Sequence, residues 1–449
     1  MPTTISVVGG GASGALTAAH LLRRATDPGL RVVLHEPAPV PARGVAYRTT
    51  DRRHLLNVRS RDMSALPDEP GHLVAWAERT GRPSDPVGFL PRATWAHYLT
   101  DVLEESRRSS VATLEVRRES VVDVAPASGG RFLVRGRDAT TEADRAVLAY
   151  GNLEPRPLRT EQGAVPDAPW HVGSAWDAAA LAALPRDATV VLVGSGLTAV
   201  DAALSLLGDH PARRVVMLSR TGLLPHSHLP SPCSTSWATP MPSGPLTADG
   251  LAAHVVGQIA RARHHGVCWR SVVDGLRGAT QRTWTRLEGS ERRCFLSRHA
   301  RHWEVLRHRM APGVAARIRG YVDAGRLQVV GGGLAGVEDL GTRCRVTPGG
   351  GGESVVADAV VNCTGPTTDL DATTSPLLAS LRRRGLVVGD PLGLGVRCTP
   401  EGAVLRADGD LVPGLHVVGP PRKGALWETT AVPEIRSQAA ELSDLLLAG

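Results

Sequence analysis

With 449 residues, the chain is long enough for two or three domains with full cores. No run approaches ~18 uninterrupted apolar residues, so no membrane span is expected, and Met1-Pro2-Thr3-Thr4 lead into a strand without a basic-then-apolar leader. The formal charge is +7 and Lys423 is the only lysine; this arginine excess suits anionic partners such as phosphorylated cofactors, while no basic arm, recognised motif or stacking platform supports nucleic acid.

The first predicted strand, Ile5-Ser6-Val7-Val8, runs into Gly9-Gly10-Gly11-Ala12-Ser13-Gly14 and then into a helix from Ala15 to Leu22. A strand that turns into a helix through glycines offers free N–H groups and a positive dipole end to a diphosphate. In this fingerprint Gly9 makes the tight turn, Gly11 lets backbone approach the pyrophosphate, and Gly14 lets the helix pack on the sheet, with Ser13 in the same turn. The next strand, Arg31 to Glu36, ends in an acid placed to accept hydrogen bonds from an adenosine ribose. An acid there favours a cofactor without a 2′-phosphate, and FAD fits.

Residues 114–149 read as a series of short strands closing on Ala146–Tyr150 and Gly151, with Asp144 just before the last of them. A second fingerprint follows Val190-Val191-Leu192-Val193 as Gly194-Ser195-Gly196-Leu197-Thr198-Ala199. Its next strand, Arg213 to Leu218, ends in Ser219-Arg220 with no acid. A carboxylate would repel a 2′-phosphate, whereas a guanidinium clamps it, so this site reads as NADPH-selective through Ser219 and Arg220.

The segment 223–325 exceeds a minimal nucleotide domain. Residues 246–265 look helical after Thr247, residues 292–310 look helical, and Pro312 suits a fresh helix start. We expect a helical cover over the active site, in which Arg293 and Arg298 are candidates for a substrate carboxylate. His299, His302 and His308 do not make a complete metal site, and no metal is expected.

Residues 327–364 then repeat the earlier run of short strands, with Asp358 corresponding to Asp144. Internal repetition of this kind argues for two related nucleotide-binding domains. The chain returns through a final strand at 413–420, containing Gly419, to a last helix opened by Trp427-Glu428-Thr429-Thr430. A helix N-terminus there would stabilise negative charge on a reduced flavin. Arg422 and Lys423 lie between that strand and Trp427, hence near the flavin by topology. The six cysteines form no Cys-x-x-Cys pair, which argues against a redox dithiol and a clustered zinc site and suits free thiols in a reducing cytoplasm.

The fold expected is therefore α/β, with two Rossmann-like dinucleotide-binding domains of the glutathione-reductase-like kind. Residues 1–165 and 356–449 would form the FAD domain, and residues 166–355 the inserted NADPH domain with its helical insertion.

The chain resembles the class B flavin monooxygenases. Within them it is similar to a group marked by Gly44-Val45-Ala46-Tyr47, His54-Leu55-Leu56-Asn57-Val58, Met63-Ser64, the stretch 298–310, and Leu426 to Arg436. The resemblance covers nearly the full length, and its characterised relatives include L-aspartate N-hydroxylases, which oxidise the amine toward nitrosuccinate. The Phe-x-Gly-x-x-x-His-x-x-x-Trp pattern of Baeyer–Villiger enzymes is absent, since the nearby Trp170 to Trp176 has another spacing.

The resemblance implies NADPH-driven N-hydroxylation of a small amine by O2, with L-aspartate the leading substrate. It places Asn57, Met63 and Ser64 against the isoalloxazine, Asn57 and Ser64 as catalytic candidates. Two other readings stay open: an NADPH–flavin oxidoreductase that does not oxygenate, and a flavin-bound interaction or sensor protein without turnover. A homo-oligomer is compatible with either.

Overall fold

The computed structural model describes residues 3–448. The chain runs β1 (Thr4–Val8), α1 (Ala12–Arg24), β2 (Arg31–His35), three helices α2 (Gly44–Tyr47), α3 (His72–Arg79) and α4 (Arg92–Ser109), then β3 (Thr113–Arg117). A meander β4 (Asp123–Pro126), β5 (Phe132–Arg135), β6 (Thr140–Ala143) leads to β7 (Arg145–Leu148) and a small hairpin of β8 (Arg159–Thr160) and β9 (Gly163–Ala164). The second unit is β10 (His171–Val172), α5 (Ala178–Ala183), β11 (Thr189–Val193), α6 (Leu197–Gly208) and β12 (Arg214–Leu218). Five helices follow: α7 (Ala248–His264), α8 (Trp269–Gly275), α9 (Arg277–Arg286), α10 (Gly289–Arg298) and α11 (Ala300–Arg307). Then come α12 (Pro312–Asp323), β13 (Leu327–Val330), the meander β14 (Leu334–Asp339), β15 (Cys344–Pro348), β16 (Val355–Ala357), and β17 (Ala359–Asn362). The chain ends with α13 (Pro376–Arg383), β18 (Ala403–Leu405), β19 (Leu411–Val417), α14 (Lys423–Leu426) and α15 (Val432–Ala448).

Two sheets organise the molecule. The first has the order β18-β19-β7-β1-β2-β3, parallel except for β18; the second has the order β10-β17-β11-β12-β13 and is parallel throughout. The apolar runs at 5–8, 32–34, 190–193 and 215–218 are buried because helices cover one face of each parallel sheet and an antiparallel meander packs on the other, with α13 beside it in the first domain. The two folds also share a fastening. Asp144 accepts from Thr4 N at 2.7 Å and returns its own N–H to the Thr4 carbonyl, and Asp358 does the same with Thr189 at 2.8 Å. In each domain an acid at the entry to the closing strand locks the start of the first strand.

The structure moves three expected boundaries. The strand at 359–362 lies in the second sheet between β10 and β11, so the second domain extends past 355 to Asn362. The first short strand of each repeat, 113–117 and 327–330, joins its parallel sheet, and only the next three form the antiparallel meander. The last helix assigned to the insertion, α12, packs its Val314, Ala315 and Ile318 into the second domain's core as the crossover to β13. The cover is therefore α7–α11. Thr247 caps α7 as expected, its hydroxyl accepting from Gly250 N at 3.1 Å. The helix expected over 292–310 is broken at His299 into α10 and α11. No helix among the described residues is long and apolar enough to cross a membrane.

Residues 51–57 and 92 of the first domain dock on α6 of the second. Arg92 pairs with the buried Asp201 at 2.7 Å, His54 reaches the Asp201 carbonyl at 3.0 Å, Ser205 donates to Asp51 at 2.8 Å, and Arg53 meets Asp209 at 2.7 Å. These contacts hold the two cradles in one frame.

Candidate functional site

Both fingerprints open at the C-terminal ends of the parallel strands, where loops are free to receive a ligand. Gly9 has φ of +103°, donates to the His35 carbonyl at 3.1 Å, and a Cβ there would lie 2.6 Å from the Ala149 carbonyl oxygen. Gly194 repeats this with φ of +129°, a bond to the Leu218 carbonyl at 2.8 Å, and a would-be Cβ 2.7 Å from the Cys363 carbonyl carbon. Only glycine fits either turn. A Cβ on Gly14 would collide with the Gly9 carbonyl, while Ala199 at the matching place is buried without conflict.

Gly11 caps α1 and Gly196 caps α6, each in extended conformation with no side-chain cap, leaving the first-turn N–H groups for another acceptor. A Cβ at Gly11 would stand 3.3 Å from Gly44 Cα, whereas one at Gly196 would meet nothing within 4 Å. Arg43, beside Gly44, holds a buried Nε with no hydrogen-bond partner. An orphaned guanidinium next to an uncapped helix start fits an anionic diphosphate.

The sequence reading missed Gly10, whose Cβ would sit 2.6 Å from that of Glu36. Three successive glycines, where the turn itself needs two, were the available signal. Glu36 accepts from Ala38 N at 2.9 Å, and burial raises its carboxyl pKa against the pull of the Ala38 and Gly10 N–H groups. The matching pair in the second cradle is Ser195 and Ser219, whose hydroxyls meet at 2.8 Å. Ser219 also accepts from Gly222 N at 3.0 Å, and Arg220 beside it is exposed.

A second guanidinium, Arg301 of α11, reaches the same place. It donates to Ser195 Oγ at 3.0 Å and to the Leu223 carbonyl at 2.5 Å; burial lowers its pKa, and the nearby Arg220 charge adds to that. Arg301 was not singled out in the sequence because it comes from the insertion, 106 residues from Ser195.

On the first cradle, the returning chain forms a strap. Gly419, with φ of +80°, lies against Ser13, where a Cβ would strike the Ser13 hydroxyl. Thr429 donates to the Gly419 carbonyl at 2.7 Å, Gln438 donates to Thr429 Oγ1 at 2.8 Å and accepts from Gly419 N at 3.0 Å. The Thr429 hydroxyl is thus a buried fastener, while Thr430 is exposed beside it. Gly151, with φ of +71°, ends β7 with open space where a Cβ would be.

Several expected site residues lie elsewhere. Ser64 is fully buried, and its hydroxyl donates toward the carbonyls of Leu66 at 3.1 Å and Glu69 at 2.8 Å; it is a turn residue and not a catalytic one. The Met63 side chain is in the first domain's core, and its carbonyl accepts from Trp95 Nε1 at 2.9 Å. Asn57 is half-buried, tied through its backbone carbonyl to His228 Nε2 at 3.0 Å.

Arg293 is exposed, and Arg298, with 64% of its side chain exposed, pairs with Asp249 at 3.0 Å on the surface. Arg422 is buried and donates to the Pro400 carbonyl. Lys423 lies over Trp427, its Nζ 4.7 Å from the ring centroid; burial lowers its pKa, with Glu304 opposing. Among the described residues no three His, Cys, Asp or Glu gather as a metal site. His299 is held by Asp249 at 2.7 Å. The cysteines are all free, and Cys268 Sγ accepts from Arg270 Nη1 at 3.6 Å.

The insertion docks on the strap through a buried ion pair. Arg307 of α11 makes two bonds of 3.0 Å to Glu428, and Arg277 of α9 meets Glu434 at 2.7 Å. Burial works against the Arg307 charge, yet Glu428 and Glu434 hold its pKa above the ordinary value. Trp284 of α9 stacks on Trp427 at 5.0 Å and donates to the Gly424 carbonyl at 2.8 Å. The helices of the insertion thus touch the second cradle through Arg301 and the strap of the first through Arg307.

Comparison with known proteins agrees with this frame. Residues 6–153 match the model of a family described as FAD-NAD(P)-binding. No curated protein sequence matches the chain. Among solved structures, the ornithine N-hydroxylase of Kutzneria sp. 744 is similar at 17% identity, covering 99% of each chain with a TM-score of 0.62. The L-lysine 6-monooxygenase of Pseudomonas syringae is similar at 17% identity, 99% of each chain and 0.64. The bacillithiol disulfide reductase of Staphylococcus aureus is similar at 12% identity, 99% of this chain and 98% of that chain, and 0.54. At these identities the likeness is one of fold: the chain has the α/β architecture of FAD- and NAD(P)-binding proteins with paired Rossmann-type domains.

Proposed function

We propose that the protein is an FAD- and NADPH-dependent monooxygenase that hydroxylates an amine nitrogen. The observation that carries this reading is the pair of unlike cradles held in one frame. Gly10 and Glu36 make the first suitable for an unphosphorylated adenosine ribose, and Ser219, Arg220 and Arg301 make the second suitable for a 2′-phosphate. The structural neighbours named for ornithine and lysine hydroxylation have both domains and the same full-length coverage, which supports the assignment of reaction class.

FAD held at Gly9, Gly11 and Glu36 of the first cradle would supply the redox chemistry between NADPH, O2 and the amine. The balance is amine, O2, NADPH and a proton giving hydroxylamine, water and NADP+. The chain's own residues position and exclude. The cradles orient two diphosphates, the Thr429–Gly419 fastener fixes the strap on α1, and the Arg307–Glu428 pair keeps the helical roof closed against water.

The expectation of L-aspartate came from the family resemblance; the guanidiniums suggested for its carboxylates, Arg293 and Arg298, lie on the surface and give it no support. A disulfide reductase of similar fold is the other reading the neighbours raise; the absence of a Cys-x-x-Cys pair weighs against it.

The test is anaerobic reduction of the flavin-loaded protein by NADPH and by NADH, followed by aerobic turnover with an amine panel. Faster reduction by NADPH, with O2 uptake matched by hydroxylamine, is expected. Flavin reduction without amine-dependent O2 uptake would leave a simple reductase.

A further inference from the structure

The insertion is not a plain lid. Helices α7, α9, α10 and α11 surround a cavity of about 410 Å³, within the ~300–1,000 Å³ common for small-molecule sites. On α7, Leu251, Val255 and Ile259 fall at four-residue spacing and line one wall. Trp284, Phe295 and Trp427 form another.

No Arg, Lys, Asp or Glu side chain lines this space; its titratable members are His302 and His299, the latter already held by Asp249 at 2.7 Å. Thr280 and Thr283 turn their hydroxyls onto their own helix, to the Leu276 carbonyl at 3.0 Å and the Ala279 carbonyl at 2.8 Å, and so offer methyl groups. One buried polar atom of the lining, Trp303 Nε1, has no partner.

The cavity reaches the strap through Trp427. Its φ of +63° and ψ of −69° place it at the centre of a tight three-residue turn, closed by the Glu428 N–H on the Leu426 carbonyl at 2.8 Å, a strained conformation for a bulky side chain. The ring is held there by stacking on Trp284 and by an edge contact with Phe295 at 5.0 Å. Two residues on, Thr429 fastens the strap to Gly419 at the first cradle. The strained backbone therefore aims the one residue that walls the cavity from the strap side.

We propose that this cavity is the substrate pocket and that it receives an amine with a hydrophobic, ring-bearing body in place of an acidic amino acid. The hydrophobic body follows from the lining; that the ligand is an amine rests on the N-hydroxylation reading. An aromatic body gains from Trp284, Phe295 and Trp427, and an acceptor on it could use the Trp303 N–H. Two carboxylates would lose their water with no arginine or lysine to replace it, His299 being already paired with Asp249. The same walls disfavour the ammonium form, which keeps the nitrogen lone pair available for attack.

The experiment uses the flavin-loaded protein. Phenylbutylamine, L-aspartate and L-ornithine are titrated without NADPH, followed by tryptophan fluorescence, and then assayed for NADPH-driven hydroxylamine formation. Two variants are compared: Ala252→Trp, which fills the cavity from α7, and Val256→Asp at its mouth, where Val256 is 66% exposed and folding is safe. Retained flavin absorbance reports folding.

Phenylbutylamine should bind, the two amino acids should not, and each variant should weaken binding by about tenfold or more. Binding of L-aspartate in preference, or phenylbutylamine binding untouched by both variants, overturns the pocket. If phenylbutylamine binds and the variants block it, the pocket stands even when no hydroxylamine forms, and that outcome sinks the oxygenation reading alone. Hydroxylamine made from L-aspartate, unaffected by either variant, would do the reverse.

Discussion

The two cradles solve one geometric problem with different chemistry. Gly9 and Gly194 make the same turn, squeezed between the same neighbouring strands. The difference begins one residue later. Gly10 must be glycine because the carboxylate-bearing Glu36 occupies the space beside it; Ser195 has a side chain because its partner is the small Ser219. The third position diverges as well, Gly14 touching the Gly9 carbonyl while Ala199 does not crowd Gly194. What this teaches is that ribose selectivity is written into backbone clearance as well as charge. Changing one acid would not convert one cradle into the other.

The sharpest way to break that comparison is at the third position. Gly14→Val should abolish flavin retention on purification, because its Cβ meets the Gly9 carbonyl. Ala199→Gly should cost only about 1 kcal/mol of helix stability and leave NADPH reduction intact. Comparable flavin retention in the two variants would mean that the cradles are not built as described.

The insertion belongs to the second domain but is fastened to the first, and that fastening can be cut. Arg307→Ala leaves Glu428 buried without its partner and should destabilise by about 3–5 kcal/mol in denaturant melts. Arg307→Met with Glu428→Leu should recover most of the loss. A single variant as stable as the parent would show that the roof is held by the aromatic contacts alone.

Acidity loads both domains. Burial holds the imidazoles of His20 and His416 in the first domain down to about 4, and those of His228 and His308 in the insertion down to about 4 and about 3. All four stay neutral when folded, whereas an unfolded imidazole protonates at ~6.5. Their contribution is full above that pH and is lost as pH falls toward 4, by roughly 2–3 kcal/mol each. Flavin release and loss of second-domain structure should therefore shift together in melts between pH 7 and 4.5; a second domain whose melting is unmoved over that range would contradict the assignment.

The smallest effect concerns the phosphate clamp. Arg220→Ala should raise the KM for NADPH about ten- to a hundredfold, one charged hydrogen bond, without changing that for NADH. Arg301→Ala should do the same to a lesser degree, since Arg301 is also spent on Ser195 and Leu223. Equal effects on both nucleotides would remove the phosphate role.

The sequence carried the frame because its signals are local. The fingerprints, the strand-ending Glu36, the Ser219-Arg220 pair and the Thr247 cap all lie within a few residues of the elements they specify. The repeated meander was legible too, down to the paired acids Asp144 and Asp358 that lock the first strands. Short strands were assigned to the wrong sheet where length and pattern are equal, as at 113–117 and 359–362. Pairing partners there are chosen by crossover geometry, which no local pattern encodes.

Site side chains were less legible. Ser64 and Thr429 look like chemistry in one dimension, but both hydroxyls are consumed by nearby carbonyls once the turns form. Arg422 and Arg298 show the opposite ends of one problem. The same residue type is buried behind a hairpin in one case and solvated on a helix in the other.

By itself the sequence determined two dinucleotide cradles, their unlike ribose ends and the chain's return from the second domain to the first, because strand, glycine and capping preferences act over a few residues. Only the tertiary structure decided that Arg301 joins the second cradle, that Arg307 and Glu428 share a charge pair 121 residues apart, and that four helices enclose an apolar space walled on one side by Trp427. Those outcomes depend on which surfaces lose water together, a property of the packed chain and not of any one segment.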